Sequence, residues 1–148
     1  LVLVGKRTYY TNQIDAFIKS HRLEKRVHLL HDVTFQYLPA IYQQAEIFVY
    51  PSRFEGFGIP IIEALHSGIP VIAATGSCLE EAGGPDSLYV HPDDKEGMTK
   101  AICSLLNHPE KRQHMIEQGL KYVTRFSEQR QAEELMNLYR SLTEEKTI

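Results

Sequence analysis

The stretch PSRFEGFGIPIIEALHSGIPVI, Pro51–Ile72, holds a strand end, a glycine turn, a short helix, a helix stop and the start of the next strand. Gly56 and Gly58 flank Phe57. Glycines spaced this way at a helix start let backbone N–H groups approach an anion closely, and the helix dipole favours negative charge at the same place. The turn reads as a phosphate seat. Ile59 opens an apolar-periodic run in which Ile62 and Leu65 are expected on the buried face, with Ile59 and Glu63, four apart, on another. Glu63 then looks back toward the turn. Gly68 sits where helices end in a left-handed residue and Pro70 forbids continuation, so the helix is about ten residues at most.

Two carboxylates bracket this element, Glu55 before the turn and Glu63 in the second helical turn. Glu55 alone has a plain explanation, because an acid near a helix N-terminus stabilises the dipole by ~0.3–1 kcal/mol. Glu63 lies between two apolar runs, where an unpaired buried carboxylate is expensive. It requires a hydroxyl, an amide or a cation. A ribose hydroxyl is one such partner, as in dinucleotide folds where an acid holds the sugar beside the phosphate turn.

Outward from this stretch, apolar runs alternate with amphipathic ones. Leu1–Val4, closed by Gly5, reads as a strand buried on both faces. Thr11 is positioned to cap a helix whose inward residues are Ile14, Phe17 and Ile18, with Leu23 closing the unit. Val27–Leu30 is the second strand, followed by a helix capped by Thr34, with Pro39 in its first turn and Leu38, Ile41 and Ala45 in period. Ile47–Tyr50 is the third strand, Val71–Ala73 the fourth and Leu88–Val90 the fifth; TGSCLEEAGG between the last two reads as a loop with one helical turn. From Asp93 onward the pattern is helical: Met98, Ile102 and Leu105 face inward in the first helix, Pro109 opens the second and Ser127 caps the third. Strands alternating with helices at this spacing predict an α/β fold, a Rossmann-like doubly wound parallel sheet with a helical C-terminus. Ligands in such sheets bind outside the carboxyl ends of the strands, where the glycine turn lies.

Composition narrows the function classes. The 148 residues are 43% hydrophobic and 24% charged, enough for one domain and one core. A net charge of −3 with scattered Lys and Arg gives no basic field for nucleic acid. Cys78 and Cys103 form no CxxC and read as two reduced core thiols, which suits a cytoplasmic setting. No Asp-x-Asp or His cluster suggests a metal. No apolar run approaches the ~18 residues a membrane-spanning helix needs. The chain opens without Met, directly in LVLV, and reads as part of something longer.

Pro51–Ile72 closely resembles the signature of retaining GT-B glycosyltransferases of the family 4 type, PS-x-x-EGFG-x-P-x-x-EA-x-x-x-G-x-PV, and Glu55 and Glu63 fit its E-x7-E spacing. The likeness extends through VHLLHDVTFQYLPAIYQQAEIFVYPS before it and ATGSCLEEAGGPDSLYVHPDD after it. The resemblance implies that residues 1–148 are the nucleotide-sugar donor-binding domain, without its first strand and without the N-terminal acceptor domain. It implies sugar transfer with retention, by front-face attack in which the leaving phosphate helps take the acceptor proton. Carried over residue by residue, Glu55 is the catalytic residue that holds hydroxyls of the donor sugar, and the amides of Gly56, Phe57 and Gly58, with Ile59 beside them, meet the pyrophosphate. Glu63 binds the ribose, and His31, Asp32 and Val33 match the loop bordering the base. Glu80 matches an acid of a later loop to which no role is given. No metal or other cofactor is implied. The acceptor, a glycan, a lipid or another group, belongs to the other domain, and the full-length protein is expected in the cytoplasm with peripheral membrane association.

Two positions depart from the family. It usually has Gly where His31 stands, so the base-side turn is expected to differ. Its diphosphate-gripping Arg and Lys lie upstream of LVLVG, on a strand that would sit next to the strands ending at Gly5 and Tyr50. Those two edges are then expected to pair with each other or to be covered by another copy. With only Lys6, Arg7 and Arg53 nearby to compensate Glu55, Glu63 and a pyrophosphate, the chain alone is expected to turn nothing over and to bind donor with a Kd on the order of millimolar or weaker. Lys6 and Arg7 read as a solvated loop, His31 reads equally as loop filler or base contact, and His66 and most tyrosines read as packing or surface. A sugar-nucleotide epimerase of similar architecture and a non-catalytic binding module are the competing function classes.

Overall fold

Strands and helices alternate as the apolar runs predict in the computed structural model, which describes residues 1–144. Two compact units divide the chain, Leu1–Ile41 and the part from Tyr42 onward.

In the first unit, β1 (Val2–Val4) pairs in parallel with β2 (His28–Leu30), Leu3 opposite Leu29. Between them α1 (Tyr9–Ser20) begins one turn earlier than expected, with Thr8 rather than Thr11 at its cap. Thr11 stands at the third helical position, where its buried hydroxyl accepts the Thr8 amide at 2.9 Å, the returning half of a capping box. Ile18 is buried, but Phe17, expected to face inward, is 57% exposed and stacks on His21 instead. After β2 a 3-10 turn (Phe35–Tyr37), with Thr34 before it, leads into α2 (Leu38–Gln43), which runs across the boundary between the units.

The second unit is built on a parallel sheet in the order β3 (Phe48–Tyr50), β4 (Val71–Ala74), β5 (Leu88–Val90). All four residues of the central strand are buried, as expected of a strand covered on both faces. Its pleat sorts side chains into two layers. Phe48, Tyr50, Val71, Ala73 and Tyr89 join a core with Ile61, Ala64 and Leu65 of α3 (Ile59–His66) and with Leu79 and Ala82 of α4 (Leu79–Gly83). Ile47, Val49, Ile72, Leu88 and Val90 join another with Met98, Ala101, Ile102 and Leu105 of α5 (Lys95–Asn107). The next helix, α6 (Pro109–Val123), gives Val123 to the first core and Met115 to the second. Helices on both faces of a parallel sheet make this the Rossmann-like α/β arrangement read from the sequence.

Several expectations shift in detail. The buried stripe of α3 runs through Ile61, Ala64 and Leu65, at i, i+3 and i+4, while Ile62 is only half-buried. The helix ends as foreseen: Gly68 is left-handed at φ 72°, and the amides of Gly68 and Ile69 return to the carbonyls of Leu65 and Ala64. Among the described residues the strand ladders form two sheets, β1–β2 and β3–β4–β5. Cys78 and Cys103 are both free thiols, but Cys103 is exposed rather than in the core, because it lies on the outer side of α5 from Ile102 and Leu105.

Local rules also fix the C-terminal helices. Asp94 caps α5 by accepting the Gly97 amide at 2.8 Å, and Arg112 of α6 donates to the last carbonyls of that helix, Leu105 at 2.5 Å and Leu106 at 3.0 Å. The guanidinium also pairs with Glu46 at 3.2 Å. A 3-10 turn (Thr124–Phe126) joins α6 to α7 (Glu128–Glu144), where Ser127 accepts the Arg130 amide as the cap. No helix among the described residues is long and apolar enough to cross a membrane.

Candidate functional site

The loop from Pro51 to Gly58 leaves the carboxyl end of β3 and turns into α3. Gly58 makes the turn at φ 101°, ψ 39°, a left-handed conformation that side chains resist. A Cβ there would also stand 2.9 Å from Leu79 Cδ2 and 3.1 Å from Ala82 Cβ, so α4 presses directly against the turn. The Gly58 carbonyl accepts the Ile61 amide at 2.9 Å and starts the helix. The amides of Gly56, Phe57, Gly58 and Ile59 donate to no other described residue. Gly58 is the N-cap and Ile59 opens α3, so these unengaged donors lie at and just before the positive end of the helix, where the glycine spacing predicts an anion seat. Around Gly56 a Cβ would meet nothing within 4 Å, so the outer side of the turn is open.

Each acid is held by a phenol. Tyr50 donates to Glu55 Oε1 at 2.6 Å, and Tyr42 donates to Glu63 Oε2 at 3.0 Å. The rings belong to one row: Tyr42 meets Phe48 edge-on at 5.3 Å between centroids, and Phe48 stacks on Tyr50 at 5.7 Å. The half-buried Glu63, read from the sequence as needing a hydroxyl, an amide or a cation, receives the Tyr42 hydroxyl on Oε2, and its Oε1 bonds to no described residue. The Tyr50 hydroxyl holds the Glu55 carboxyl below its ordinary range. Burial, then the bond to Glu55, pushes the Tyr50 phenol up to about 12, and burial with the Glu63 bond raises Tyr42 as well.

Two neighbouring loops brace the turn. Cys78 Sγ donates to the Glu55 carbonyl at 3.3 Å. Glu80 accepts from the Thr75 hydroxyl and from the Gly76 amide, and these bonds, Thr75 first, hold its carboxyl below the usual range. Glu80, unassigned from the sequence, organises the loop after β4. Arg53 was expected to be available to a pyrophosphate, but both of its terminal nitrogens bond to Asp93, on the loop after β5. That ion pair neutralises it in place. Arg7 pairs with Asp15 at 3.6 Å.

Glu55, Gly56, Phe57, Gly58, Ile59 and Glu63 lie together in the second unit. The Phe57 ring meets Phe126 edge-on at 5.6 Å, and Ile59 is 62% exposed. His31 and Val33 lie in the first unit. His31 Nδ1 donates to the Gly5 carbonyl at 2.9 Å, and the left-handed residue of that turn is Asp32, at φ 58°. A turn that tolerates a side chain at 31 thus takes its unusual backbone one residue later. Tyr42, expected to serve only packing, and Tyr50 are the site residues that the sequence did not single out. The period-2 pattern of β3, which sends Phe48 and Tyr50 to one face, was the available signal for Tyr50. A shallow depression along α7, lined by Gln129, Ala132, Glu133, Met136, Asn137 and Arg140, includes none of these residues. No group of three or more His, Cys, Asp or Glu suited to a metal occurs among the described residues.

Comparison with known proteins adds to this geometry. The family model for glycosyl transferases group 1 matches residues 1–122. An O-antigen chain mannosyltransferase of Salmonella typhimurium, RfbU, is 37% identical over 110 residues, 74% of this chain and 31% of that protein. O-antigen chain mannosyltransferase B of Escherichia coli is 30% identical over 142 residues, 96% of this chain and 37% of that protein. Sucrose-phosphate synthase of Thermosynechococcus elongatus superposes with a TM-score of 0.83 at 28% identity, over 99% of this chain and 39% of the other. The chain therefore spans about a third of the length of the curated relatives it matches.

Proposed function

Because the chain belongs to the group 1 glycosyl transferases, with the GT-B fold of that family, we propose that it is the nucleotide-sugar donor half of a retaining hexosyltransferase. The observation that carries the reading is the run of unengaged amides from Gly56 to Ile59 between two carboxylates that tyrosines hold in place. The donor diphosphate sits on these amides, where helix dipole and N–H groups stabilise negative charge that grows as the glycosidic bond breaks. Glu55 accepts hydrogen bonds from hydroxyls of the transferred sugar. Glu63, with Oε1 open, accepts from the ribose. The acceptor hydroxyl attacks the anomeric carbon from the face that the diphosphate leaves. Its proton passes to the departing phosphate oxygen, so the configuration is retained.

Mannose is the sugar this reading favours, because both O-antigen relatives are mannosyltransferases by name. The acceptor is bound by protein outside this chain, on the cytoplasmic side, with membrane association supplied by that part or by a lipid-linked acceptor. The 148 residues alone turn nothing over. The amides supply the positive potential, so turnover is expected to survive EDTA.

The test is kinetic, on the full-length polypeptide with a panel of nucleotide-sugars. Glu55→Gln and Glu63→Gln each remove one hydrogen-bonded charge, worth ~1.5–3 kcal/mol, and kcat/KM should fall roughly 10- to 100-fold in each. Parental kcat/KM in both variants would sink the reading. Product formed from donor without any acceptor would point instead to an epimerase.

A further inference from the structure

Glu55 stands on a loop, and a loop carboxylate with three rotatable side-chain bonds does not orient itself. Its partner does not share that freedom. Tyr50 is the last residue of β3, opposite Ala73 in the ladder to the fully buried β4, and its ring stacks on Phe48. The hydroxyl meets Glu55 Oε1 at 2.6 Å, the short distance of a bond to a charged acceptor. We propose that Tyr50 is a positioning residue for sugar transfer, fixing one oxygen of Glu55 so that the other is presented to the donor sugar.

The proposal rests on the reading of Glu55 as the sugar-binding carboxylate and adds the group that aims it. The same row of rings explains why a tyrosine does this from the sheet. Phe48 lies between Tyr50 and Tyr42, and Tyr42 holds Glu63, so one rigid aromatic layer sets the positions of both acids relative to the anion seat. The bond also favours the ionised form of Glu55, the form able to accept from sugar hydroxyls on both oxygens. The other titratable or polar groups facing this pair are Glu63, Tyr42, the Ser52 hydroxyl and the Cys78 thiol on the Glu55 carbonyl.

Tyr50→Phe in the full-length polypeptide keeps the ring and removes only the hydroxyl. A loss of roughly 10-fold in kcat is expected, with donor KM changed less than about 3-fold and the acid limb of the kcat/KM profile moved to higher pH. A residue needed only for packing would lower the melting temperature and leave the acid limb where it was. Parental kcat with an unmoved acid limb, in a Tyr50→Phe protein that is folded by circular dichroism, overturns the proposal. If Tyr50→Phe does not fold, 3,5-difluorotyrosine at this position keeps the shape and makes the phenol a stronger donor; the acid limb should then move to lower pH, and an unmoved limb is again fatal. Glu55→Gln run in parallel separates the two ideas. An inactive Glu55→Gln beside an unaffected Tyr50→Phe removes only the positioning role, whereas a fully active Glu55→Gln removes the reading on which it stands.

Discussion

Gly58→Ala tests the structural premise of the anion seat. The backbone at Gly58 has φ 101°, where an alanine is strained by ~1–3 kcal/mol. The added methyl would also stand 2.9 Å from Leu79 Cδ2 and 3.1 Å from Ala82 Cβ, and Leu79 and Ala82 are fully buried and have little room to yield. Overpacking of that kind costs ~1–3 kcal/mol. The two effects share one atom and add, so the expected loss is roughly 2–6 kcal/mol. For a protein of this size or somewhat larger, each kcal/mol lowers the melting temperature by about 2–4 °C. Thermal unfolding followed by far-ultraviolet circular dichroism should therefore show a drop of at least about 4 °C. Gly56→Ala is the control, since a Cβ there meets nothing within 4 Å and the residue is not in the left-handed region. Its stability should change by less than about 0.5 kcal/mol, yet its methyl projects into the open side of the turn and should raise donor KM. A Gly58→Ala protein melting within about 1 °C of the parent would refute the argument that α4 and the positive φ jointly fix this turn.

Other expectations follow from the same contacts. Tyr42→Phe should raise donor KM with a smaller change in kcat if Glu63 holds the ribose as proposed, equally in ground and transition state; an unchanged KM in steady-state assays would count against that role. Tyr42, Tyr50 and Tyr89 all have phenol pKa values raised above 10.0, chiefly by burial. Their contribution to stability is present below pH 10 and is lost as pH rises through the folded values, so ultraviolet titration should show a late phase that shrinks in Tyr42→Phe and Tyr50→Phe. Glu55 and Glu80 have the opposite sign: with folded values lowered from 4.5, they stabilise the fold above pH 4.5 and lose that contribution as pH falls further, which acid unfolding of Glu80→Gln should register as a weaker pH dependence. Arg112→Ala leaves the Leu105 and Leu106 carbonyls without their donor and should cost ~1–3 kcal/mol in denaturant unfolding, whereas Arg53→Ala, which removes a solvent-exposed pair with Asp93, should leave the unfolding midpoint nearly unchanged.

What the sequence determined by itself is what short-range rules govern. Gly58, Gly68 and Pro70 mark where α3 starts and stops because backbone conformation is a property of the residue itself, and the apolar run Val71–Ala73 marks the fourth strand; that this strand is buried on both faces, and that Val2 and Val4 of β1 are not, was decided by packing. The run of unengaged amides follows from the glycine turn, since Gly56, Phe57 and the N-cap Gly58 precede α3 and Ile59 opens it. The tertiary structure alone decided what the acids and cations do. Tyr42 reaches Glu63 across 21 positions, Arg53 reaches Asp93 across 40, and Leu79 presses on Gly58 from another helix. No periodicity records such pairings, because they depend on which elements the sheet order brings side by side. The cap of α1 at Thr8 and the exposed Phe17 show the same limit at short range: several residues satisfied the local pattern, and packing chose among them.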